Sequence, residues 1–322
     1  MSEEKKVLLS VQHLEQFFKM GRRKLKAVND VSFDIYKGEV FGLVGESGCG
    51  KTLSAMSVLR LLPKNAQIKS GEIFFKNENL LLKKEFQMQK IRGKNIALIP
   101  QDPMTSLNPL YTIENQLLEV IKLHQPDEKN PYEVAIKALK DVKIPNPEDR
   151  LKSYPHEFSG GMKQRIIIAM ALACKADLII ADEPTTALDV TVQAQIMKLL
   201  NEIKTEKNTA IILITHDLGI VAENADDVAV MYAGRVVEYT TKEELFKNPK
   251  HPYTKALFKA LPDINDKKLT PIEGQPPSID EKITGCPFNT RCDAVFDICL
   301  EKNPQLKLDD KTLVACWRCK QN

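Results

Sequence analysis

The chain has 322 residues, of which 43% are hydrophobic and 28% are charged, and its formal net charge is +3. This composition is typical of a globular protein with about two domains, and the near-neutral charge gives no support for nucleic-acid binding through bulk electrostatics. No apolar run approaches the roughly 20 residues that cross a bilayer, and the first six residues lack a signal-peptide core, so we expect a cytosolic chain that reaches a membrane only through a partner.

Hydrophobic periodicity predicts strands and helices in an order typical of an α/β protein. Strands are predicted at 8–11, 27–35, 40–44, 70–75, 95–100, 178–181 and 210–214, with a hairpin at 227–232 and 235–239. Helices are predicted at 53–62, 112–123, 132–139 and 191–203, and the apolar run 166–174 is interpreted as a buried helix segment. The two continuous apolar strands around the helix 191–203 indicate a βαβ unit. After residue 245 prolines accumulate and periodicity fades, which indicates a loop-rich extension.

Residues 45–52 carry the pattern G-x-x-x-x-G-K-T between the strand at 40–44 and the helix at 53–62. In this pattern the glycines let successive backbone N–H groups point at one phosphate. Lys51 adds positive charge near the β- and γ-phosphates, and the Thr52 hydroxyl can bind Mg²⁺. The alternative is a glycine-rich turn without chemistry, which the preceding strand and the following helix disfavour because the helix directs its N-terminus at the same anion. The segment therefore predicts a nucleoside triphosphate site.

Two further segments carry residue types that serve phosphoryl transfer. One apolar strand ends in Asp182 and Glu183, and after a phosphate loop such a strand places the first acid beside Mg²⁺ and the second beside an attacking water. Ser159, Gly160 and Gly161 open a helix, where the serine can cap the first turn and the backbone N–H groups can bind an anion. Taken singly, each segment has a structural alternative, namely a surface acid pair and an ordinary helix start.

Together these segments resemble the ATP-binding subunit of ABC transporters over about residues 7–250. The resemblance implies an α/β fold, an ABC-type P-loop ATPase with a RecA-like core, an antiparallel β subdomain and a helical signature subdomain at about 102–165. It implies an ATP-binding domain at residues 6–250 and ATP and Mg²⁺ as cofactors. It also implies that ATP drives closure of two such subunits and that hydrolysis allows them to open.

The resemblance also assigns roles to single positions. Glu183 matches the catalytic glutamate, His216 the switch histidine that contacts the γ-phosphate, and Gln101 the glutamine that touches Mg²⁺ and senses the transmembrane partner. The implied Mg²⁺ ligands are Thr52, Gln101 and Asp182. The resemblance implies that Phe18 stacks on the adenine, with Phe17 as the alternative. The residues implied around the phosphates are Ser47, Gly48, Cys49, Gly50, Lys51, Thr52, Leu53 and Asp182. The signature residues Ser159, Gly160 and Gly161 are implied to contact the ATP of the opposite subunit, and Asp189 forms the D-loop with Ala187 and Leu188. Leu53 departs from many relatives, which carry Ser or Thr there, and the missing hydrogen bond is worth about 1 kcal/mol.

The start of the extension resembles the oligopeptide/dipeptide branch of ABC importers. The residues that carry this resemblance are His251, Pro252, Tyr253, Thr254, Leu257, Leu261 and Pro262. The branch implies a D-type motor subunit at the cytoplasmic face of the cell membrane. Its implied partners are a paralogous F-type ATP-binding subunit, two transmembrane permease subunits and, indirectly, an extracytoplasmic peptide-binding protein. The alternatives are an F-type subunit, a soluble ABC ATPase outside transport, and an importer of another cargo such as nickel chelates.

Five of the seven cysteines lie in the extension, which we place at 251–322. Four of them follow the spacing C-x5-C-x6-C-x16-C, which indicates a soft metal ion or a cluster. Some members of the branch hold a [4Fe–4S] cluster in such an extension, and the resemblance implies Cys286, Cys292, Cys299 and Cys316 as ligands, with Cys319 as an extra thiol. A Zn²⁺ site, free thiols, and a metal- or redox-sensing module that regulates the motor are the alternatives.

Overall fold

The computed structural model of the chain describes residues 6–186, 188–260 and 271–319. Ala187, Leu261 and Pro262, which the sequence comparison with the transporter family singled out, lie outside the described residues. The chain divides into two compact units. The first contains the described residues within 1–6, 36–39 and 82–214, and the second contains those within 7–35, 40–81 and 215–322.

The described residues form strands and helices in the following order. The strands are β1 (Val7–Met20), β2 (Arg23–Tyr36), β3 (Val40–Val44), β4 (Ala66–Phe75), β5 (Glu78–Asn79), β6 (Ile96–Ile99), β7 (Leu178–Asp182), β8 (Ala210–Thr215), β9 (Asp227–Tyr232), β10 (Arg235–Thr241), β11 (Lys307–Asp309) and β12 (Thr312–Val314). The α-helices are α1 (Lys51–Leu59), α2 (Glu85–Ile91), α3 (Pro103–Ser106), α4 (Ile113–His124), α5 (Pro131–Asp141), α6 (Pro147–Arg150), α7 (Gly160–Ala173), α8 (Val190–Lys207), α9 (Leu218–Asn224), α10 (Lys242–Lys247), α11 (Pro252–Lys259) and α12 (Asp297–Glu301). Short 3₁₀ turns lie at Leu80–Leu82, Pro155–Glu157 and Asn289–Arg291.

The first unit contains three parallel strands in the order β8-β7-β6. Leu178 of β7 pairs with Ile96 on one side and with Ala210 on the other. Every residue of β7 and β8 is buried, which explains why both strands are continuous apolar runs rather than alternating ones. The predicted βαβ unit is therefore confirmed, with α8 as its helix. Helices α4, α5 and α7 pack against one another and form the helical part of this unit.

The second unit contains two sheets. One has the strand order β2-β1-β4-β5, with β1 antiparallel to β4 and β4 antiparallel to β5. The other has the order β11-β12-β10-β9-β3. In it β3 runs parallel to β9, with Val44 opposite Val230, and the remaining pairs are antiparallel. The predicted hairpin at 227–239 is confirmed as β9 and β10, and the extension adds β12 and β11 beyond it.

The extension is loop-rich, as predicted, but two of its aromatic side chains belong to the core of the second unit. Tyr253 and Phe288 are buried against Tyr232 of β9, with ring centroids 4.6 Å apart for the two tyrosines and 5.3 Å apart for Tyr232 and Phe288. Val44, the last residue of β3, belongs to the same cluster. Burial of one such ring contributes about 1.5–3 kcal/mol. The extension is therefore anchored beside the strand that leads into the phosphate loop.

The helix α1 ends three residues earlier than the sequence pattern predicts. The apolar residues Leu61 and Leu62 extended the predicted helix to residue 62, but α1 ends at Leu59. Arg60 takes a left-handed conformation (φ 54°), and its N–H closes the last turn on the carbonyls of Met56 and Ser57.

None of the helices in the described part of the chain combines the length and the apolar character needed to cross a bilayer.

Candidate functional site

The phosphate loop connects β3 to α1 and takes a conformation that requires glycine. Gly45 has φ +149°, and a Cβ atom there would lie 2.2 Å from the carbonyl oxygen of Met231. Gly50, with φ +101°, precedes the first helical residue, Lys51. Its Cβ position would lie 3.0 Å from the carbonyl oxygen of Ala27. Larger residues at these positions would push the loop away from the neighbouring backbone.

Lys51 is buried at the base of this loop. Its Nζ atom donates to the carbonyl oxygens of Gly45, at 2.7 Å, and Glu46, at 3.0 Å. The ammonium group is thereby held inside the ring of backbone that would surround a phosphate. Thr52, the next residue, is exposed, and Leu53 is half-buried. Burial raises the pKa of the Cys49 thiol, so this residue serves the loop as a small neutral side chain.

The loop borders a cavity of about 1090 Å³ within the second unit. Ala27, Gly48 and Gly234 line it on one side, and residues 277–285 of the extension line it on the other. Three basic side chains of the β1–β2 hairpin, Arg23, Lys24 and Lys26, also face it. The volume slightly exceeds the usual range of small-molecule sites, and the five basic residues of the lining outnumber its three acidic ones, which suits a polyphosphate.

The two acids after β7 take different environments. Asp182 is the last residue of β7 and is buried. Glu183 has φ +44°, an uncommon conformation for a residue other than glycine, and its N–H donates to the Ile214 carbonyl at 3.0 Å. Its Oε2 atom accepts hydrogen bonds from Gln101 Nε2 at 3.0 Å and from Thr186 Oγ1 at 2.9 Å. The first unit thus brings Gln101 and Glu183, two of the three predicted catalytic residues, into direct contact.

The signature residues and the D-loop aspartate line one cavity of about 420 Å³ in the first unit. Ser159 caps α7 by accepting the Met162 N–H, and Asp189 caps α8 by accepting the Val192 N–H at 3.0 Å. A Cβ atom at Gly161 would lie 2.8 Å from Val192 Cγ1, so the two helix starts are packed closely. The first turn of α7 therefore presents its N–H groups at a cavity, as an anion site requires.

His216 and Phe18 lie in the second unit. His216 is exposed and follows β8. The turn after it is fixed because the Asp217 N–H donates to Thr215 Oγ1 at 3.0 Å. Phe18 is half-buried on β1, and the adjacent Phe17 has the Lys24 ammonium 5.0 Å from its ring centroid. Neighbouring residues of a strand point to opposite faces, so only one of the two rings can face an adenine.

The predicted Mg²⁺ ligands offer a hydroxyl, an amide oxygen and a carboxylate. Thr52 belongs to the second unit, whereas Gln101 and Asp182 belong to the first. Magnesium prefers oxygen ligands and keeps several waters, so the chemistry of this set fits Mg²⁺.

The predicted [4Fe–4S] cluster is wrong. Among residues 6–186, 188–260 and 271–319, no group of three or more His, Cys, Asp or Glu is placed to hold a metal ion. Cys286, Cys292, Cys299 and Cys316 do line one cavity, but its volume is only about 20 Å³, room for one water molecule. Burial raises the pKa of Cys286 to about 11 and also raises that of Cys292, whereas a hydrogen bond with Cys319 lowers the pKa of Cys316 to about 6, so these thiols do not share one protonation state. The same geometry gives no support for a zinc site.

Sequence reasoning missed two contacts of the phosphate loop. Arg291, in the extension, forms an ion pair with Glu46, and Tyr253 accepts the N–H of the same residue. The three positions are far apart in the chain and share no motif, so no local pattern could have indicated either contact.

Comparisons with known proteins agree with these features. The model of the family described as "ABC transporter" matches residues 28–186, and that described as "Oligopeptide/dipeptide transporter, C-terminal region" matches residues 237–299. The dipeptide transport ATP-binding protein DppD of Bacillus subtilis is 49% identical over 315 residues, covering 96% of this chain and 94% of the relative. The oligopeptide transport ATP-binding protein OppD of Haemophilus influenzae is 47% identical over 313 residues, covering 96% and 97%. OppD of Escherichia coli is 46% identical over 314 residues, covering 97% and 93%.

Solved structures show the same fold. The ATP-binding cassette MJ0796, in a dimeric post-hydrolysis state bound to ADP and Pi, superposes with a TM-score of 0.65 at 25% identity, covering 73% of this chain and 98% of that one. CbiO1 from Clostridium perfringens, part of the ABC transporter complex cbiONQ, gives a TM-score of 0.64 at 27% identity, covering 76% and 92%.

Proposed function

The chain belongs to the ATP-binding subunits of dipeptide and oligopeptide ABC transporters, and from this premise we propose that it hydrolyses ATP to drive peptide uptake through membrane-embedded partners. The observation that carries the peptide cargo is the match of residues 237–299 to the C-terminal region of oligopeptide and dipeptide transporters. The relatives named above are ATP-binding proteins of dipeptide or oligopeptide transport. Their similarity to this chain extends over nearly their whole length and includes the extension. We also propose an ATP-binding domain at 6–250 and an extension at 251–322.

In the proposed mechanism the triphosphate is held mainly by the phosphate loop. The phosphate loop of the second unit holds the triphosphate through Lys51 and its backbone N–H groups, and His216 contacts the γ-phosphate. Thr52, Gln101 and Asp182 would hold Mg²⁺, which would supply charge neutralisation when bound. Phosphoryl transfer needs positioning and charge stabilisation more than covalent help from the protein.

Glu183 is the residue proposed to orient the attacking water. Its contact with Gln101 supports this role, because the glutamine that senses the membrane partner then lies 3.0 Å from the catalytic carboxylate. A movement of Gln101 would change the position of that carboxylate directly. Phe18 is proposed to stack on the adenine.

The signature residues are proposed to act on the nucleotide of a second subunit. Ser159, Gly160 and Gly161 start α7 at the mouth of a cavity that Asp189 shares, which supports recognition of a phosphate by the helix N-terminus. The partner subunit is proposed to be an F-type paralogue, and the pair to bind two permease subunits at the cytoplasmic face of the membrane. An extracytoplasmic binding protein would deliver the peptide.

The experiment that tests this function is reconstitution with the permeases, the second ATP-binding subunit and the binding protein in lipid vesicles. Peptide-loaded binding protein should stimulate phosphate release and accumulation of labelled peptide. Glu183→Gln should retain ATP binding and lower both activities by at least about a hundredfold, the size typical for loss of one preorganised catalytic group. Glu206→Gln, an exposed acid near the end of α8, is the matched control and should behave like the wild type.

Three outcomes would contradict the proposal. A chain that stays alone in detergent at full ATPase activity would be a soluble ATPase. Stimulation by nickel chelates and not by peptides would assign another cargo. Full steady-state activity in Glu183→Gln would remove the glutamate from its role.

A further inference from the structure

Arg291 of the extension binds Glu46 of the phosphate loop in a two-point contact. Its Nη1 atom lies 2.7 Å from Glu46 Oε2, and its Nη2 atom lies 3.0 Å from Glu46 Oε1. Parallel bonds of this kind fix the relative orientation of guanidinium and carboxylate as well as their distance. The arginine side chain is 3% exposed and that of the glutamate is 27% exposed, so the pair is largely shielded from solvent.

The arginine is itself held by the surrounding second unit. Its Nε atom donates to the carbonyl oxygen of Glu273 at 3.0 Å, and Nη1 also donates to Tyr232 Oη at 3.3 Å. The guanidinium carbon lies 5.7 Å from the centroid of the Tyr232 ring. A side chain with this many fixed contacts has already lost its rotamer freedom, so it can hold its partner at little further entropic cost.

A second contact from the extension holds the backbone of the same loop residue. The N–H of Glu46 donates to Tyr253 Oη at 3.0 Å. Tyr253 is fully buried and packs on Phe288, with ring centroids 5.4 Å apart. The side chain and the main chain of Glu46 are therefore both tied to the extension.

The charge of Glu46 gives the contact a consequence for the ligand. The residue immediately follows Gly45 in the loop that would surround the phosphates, and a carboxylate there repels a polyphosphate. Arg291 neutralises the carboxylate and turns it onto the extension. The hydrogen bonds from Arg291 are charge-assisted, and removal of only one partner would leave a shielded charge without its counterion.

We propose that Arg291 is a positioning residue for nucleotide binding: it fixes and neutralises Glu46, so that the phosphate loop accepts the triphosphate. The C-terminal extension is then part of the nucleotide site rather than an addition to it. The inference rests on the proposed function only in that the loop binds a nucleoside triphosphate, and it does not depend on the cargo.

The test is calorimetric titration of the full chain with the magnesium complex of a non-hydrolysable ATP analogue. Arg291→Ala should raise the dissociation constant about tenfold, which corresponds to a loss of about 1.4 kcal/mol of binding free energy. Glu46→Gln should change it by less than about threefold, because it removes the charge that repels the phosphates while Arg291 keeps its hydrogen bonds to the Glu273 carbonyl and to Tyr232 Oη. The double variant should bind like Glu46→Gln alone, so the glutamine should rescue the loss of the arginine.

Arg318 provides the matched control. It is also an arginine of the extension, donates from Nε to the Ala294 carbonyl at 2.8 Å and lies over an aromatic ring, that of Phe296. It lines the small cavity bordered by the four cysteines rather than the phosphate loop, and Arg318→Ala should bind the analogue as the wild type does. Arg291→Met, which keeps most of the volume, replaces the alanine variant if thermal melting shows that variant to be unfolded.

Two results would overturn the inference. One is unchanged affinity in folded Arg291→Ala or Arg291→Met. The other is an equal loss in the single Arg291 variant and in the double variant, because a purely structural role of Arg291 would not be relieved by neutralising Glu46. Failure of the wild type to bind the analogue would instead refute the proposed function.

Discussion

His251 is a buried histidine whose protonation should destabilise the second unit. It is 2% exposed, and its Nδ1 atom accepts the N–H of Tyr253 at 3.0 Å, which caps the start of α11. An accepting Nδ1 has no proton, and a protonated ring would lose this bond. Burial lowers the pKa of His251 to about 3, whereas an unperturbed histidine has a pKa of about 6.5.

The sign and size of the effect follow from these two values. Well above about pH 6.5 neither the folded nor the unfolded chain binds the proton, so His251 contributes no pH dependence to the free energy of unfolding. Between about pH 6.5 and about pH 3 the unfolded chain takes up a proton that the folded chain excludes. The free energy of unfolding then falls by about 1.4 kcal/mol per pH unit, or about 2 kcal/mol in total at about pH 5.

Trp317 provides the assay because it is the single tryptophan of the chain and lines the same small cavity as His251. Its fluorescence during urea unfolding should report on this part of the second unit. His251→Asn keeps a side chain suited to a helix N-cap but cannot titrate in this range. The wild type should lose about 2 kcal/mol more than this variant between about pH 7.5 and about pH 5. His156→Asn, an exposed histidine of the first unit, should match the wild type. An equal loss in His251→Asn and the wild type would refute the reasoning.

Two further predictions concern the phosphate loop. Gly45→Ala should weaken binding of a non-hydrolysable ATP analogue by more than about tenfold in calorimetry, because the new Cβ atom would lie 2.2 Å from the Met231 carbonyl oxygen. An affinity near that of the wild type would show that the loop can shift without loss of binding. Leu53→Thr should improve the affinity for the same analogue up to about fivefold, because it supplies a hydroxyl for a hydrogen bond to the α-phosphate, worth about 1 kcal/mol. A weaker complex would show that the packing of the half-buried leucine contributes more than this hydrogen bond.

The parts of the fold that the sequence predicted are those encoded in short stretches. Strands β7 and β8 are continuous apolar runs because both of their faces are buried, and a single run suffices to identify them. The phosphate loop is likewise a local motif between a strand and a helix. The end of α1 was missed because Arg60 leaves the helix through a left-handed conformation while Leu61 and Leu62 continue the apolar pattern.

The cysteines show where spacing ceases to be informative. The thiols of Cys286, Cys292, Cys299 and Cys316 all border one cavity, but their spacing indicated a metal site that the described residues do not form. The spacing carried no information about the volume between them or about their protonation. Those properties depend on the packing of Phe288, Trp317 and His251 around the same cavity, which no cysteine pattern encodes.

The phosphate loop itself depends on packing of this kind. Its Cys49 carbonyl accepts the N–H of Gly234 at 2.9 Å, and the Gly234 carbonyl in turn accepts the N–H of Asn29 at 2.8 Å. Together with the contacts of Glu46 to Tyr253 and Arg291, these bonds attach the loop to β2, to the β9–β10 turn and to the extension. The glycines permit the conformation, but they also permit many others, because glycine has the widest choice of backbone angles. The motif therefore specifies which residues can bind phosphate, while distant segments of the second unit select the one conformation in which they do.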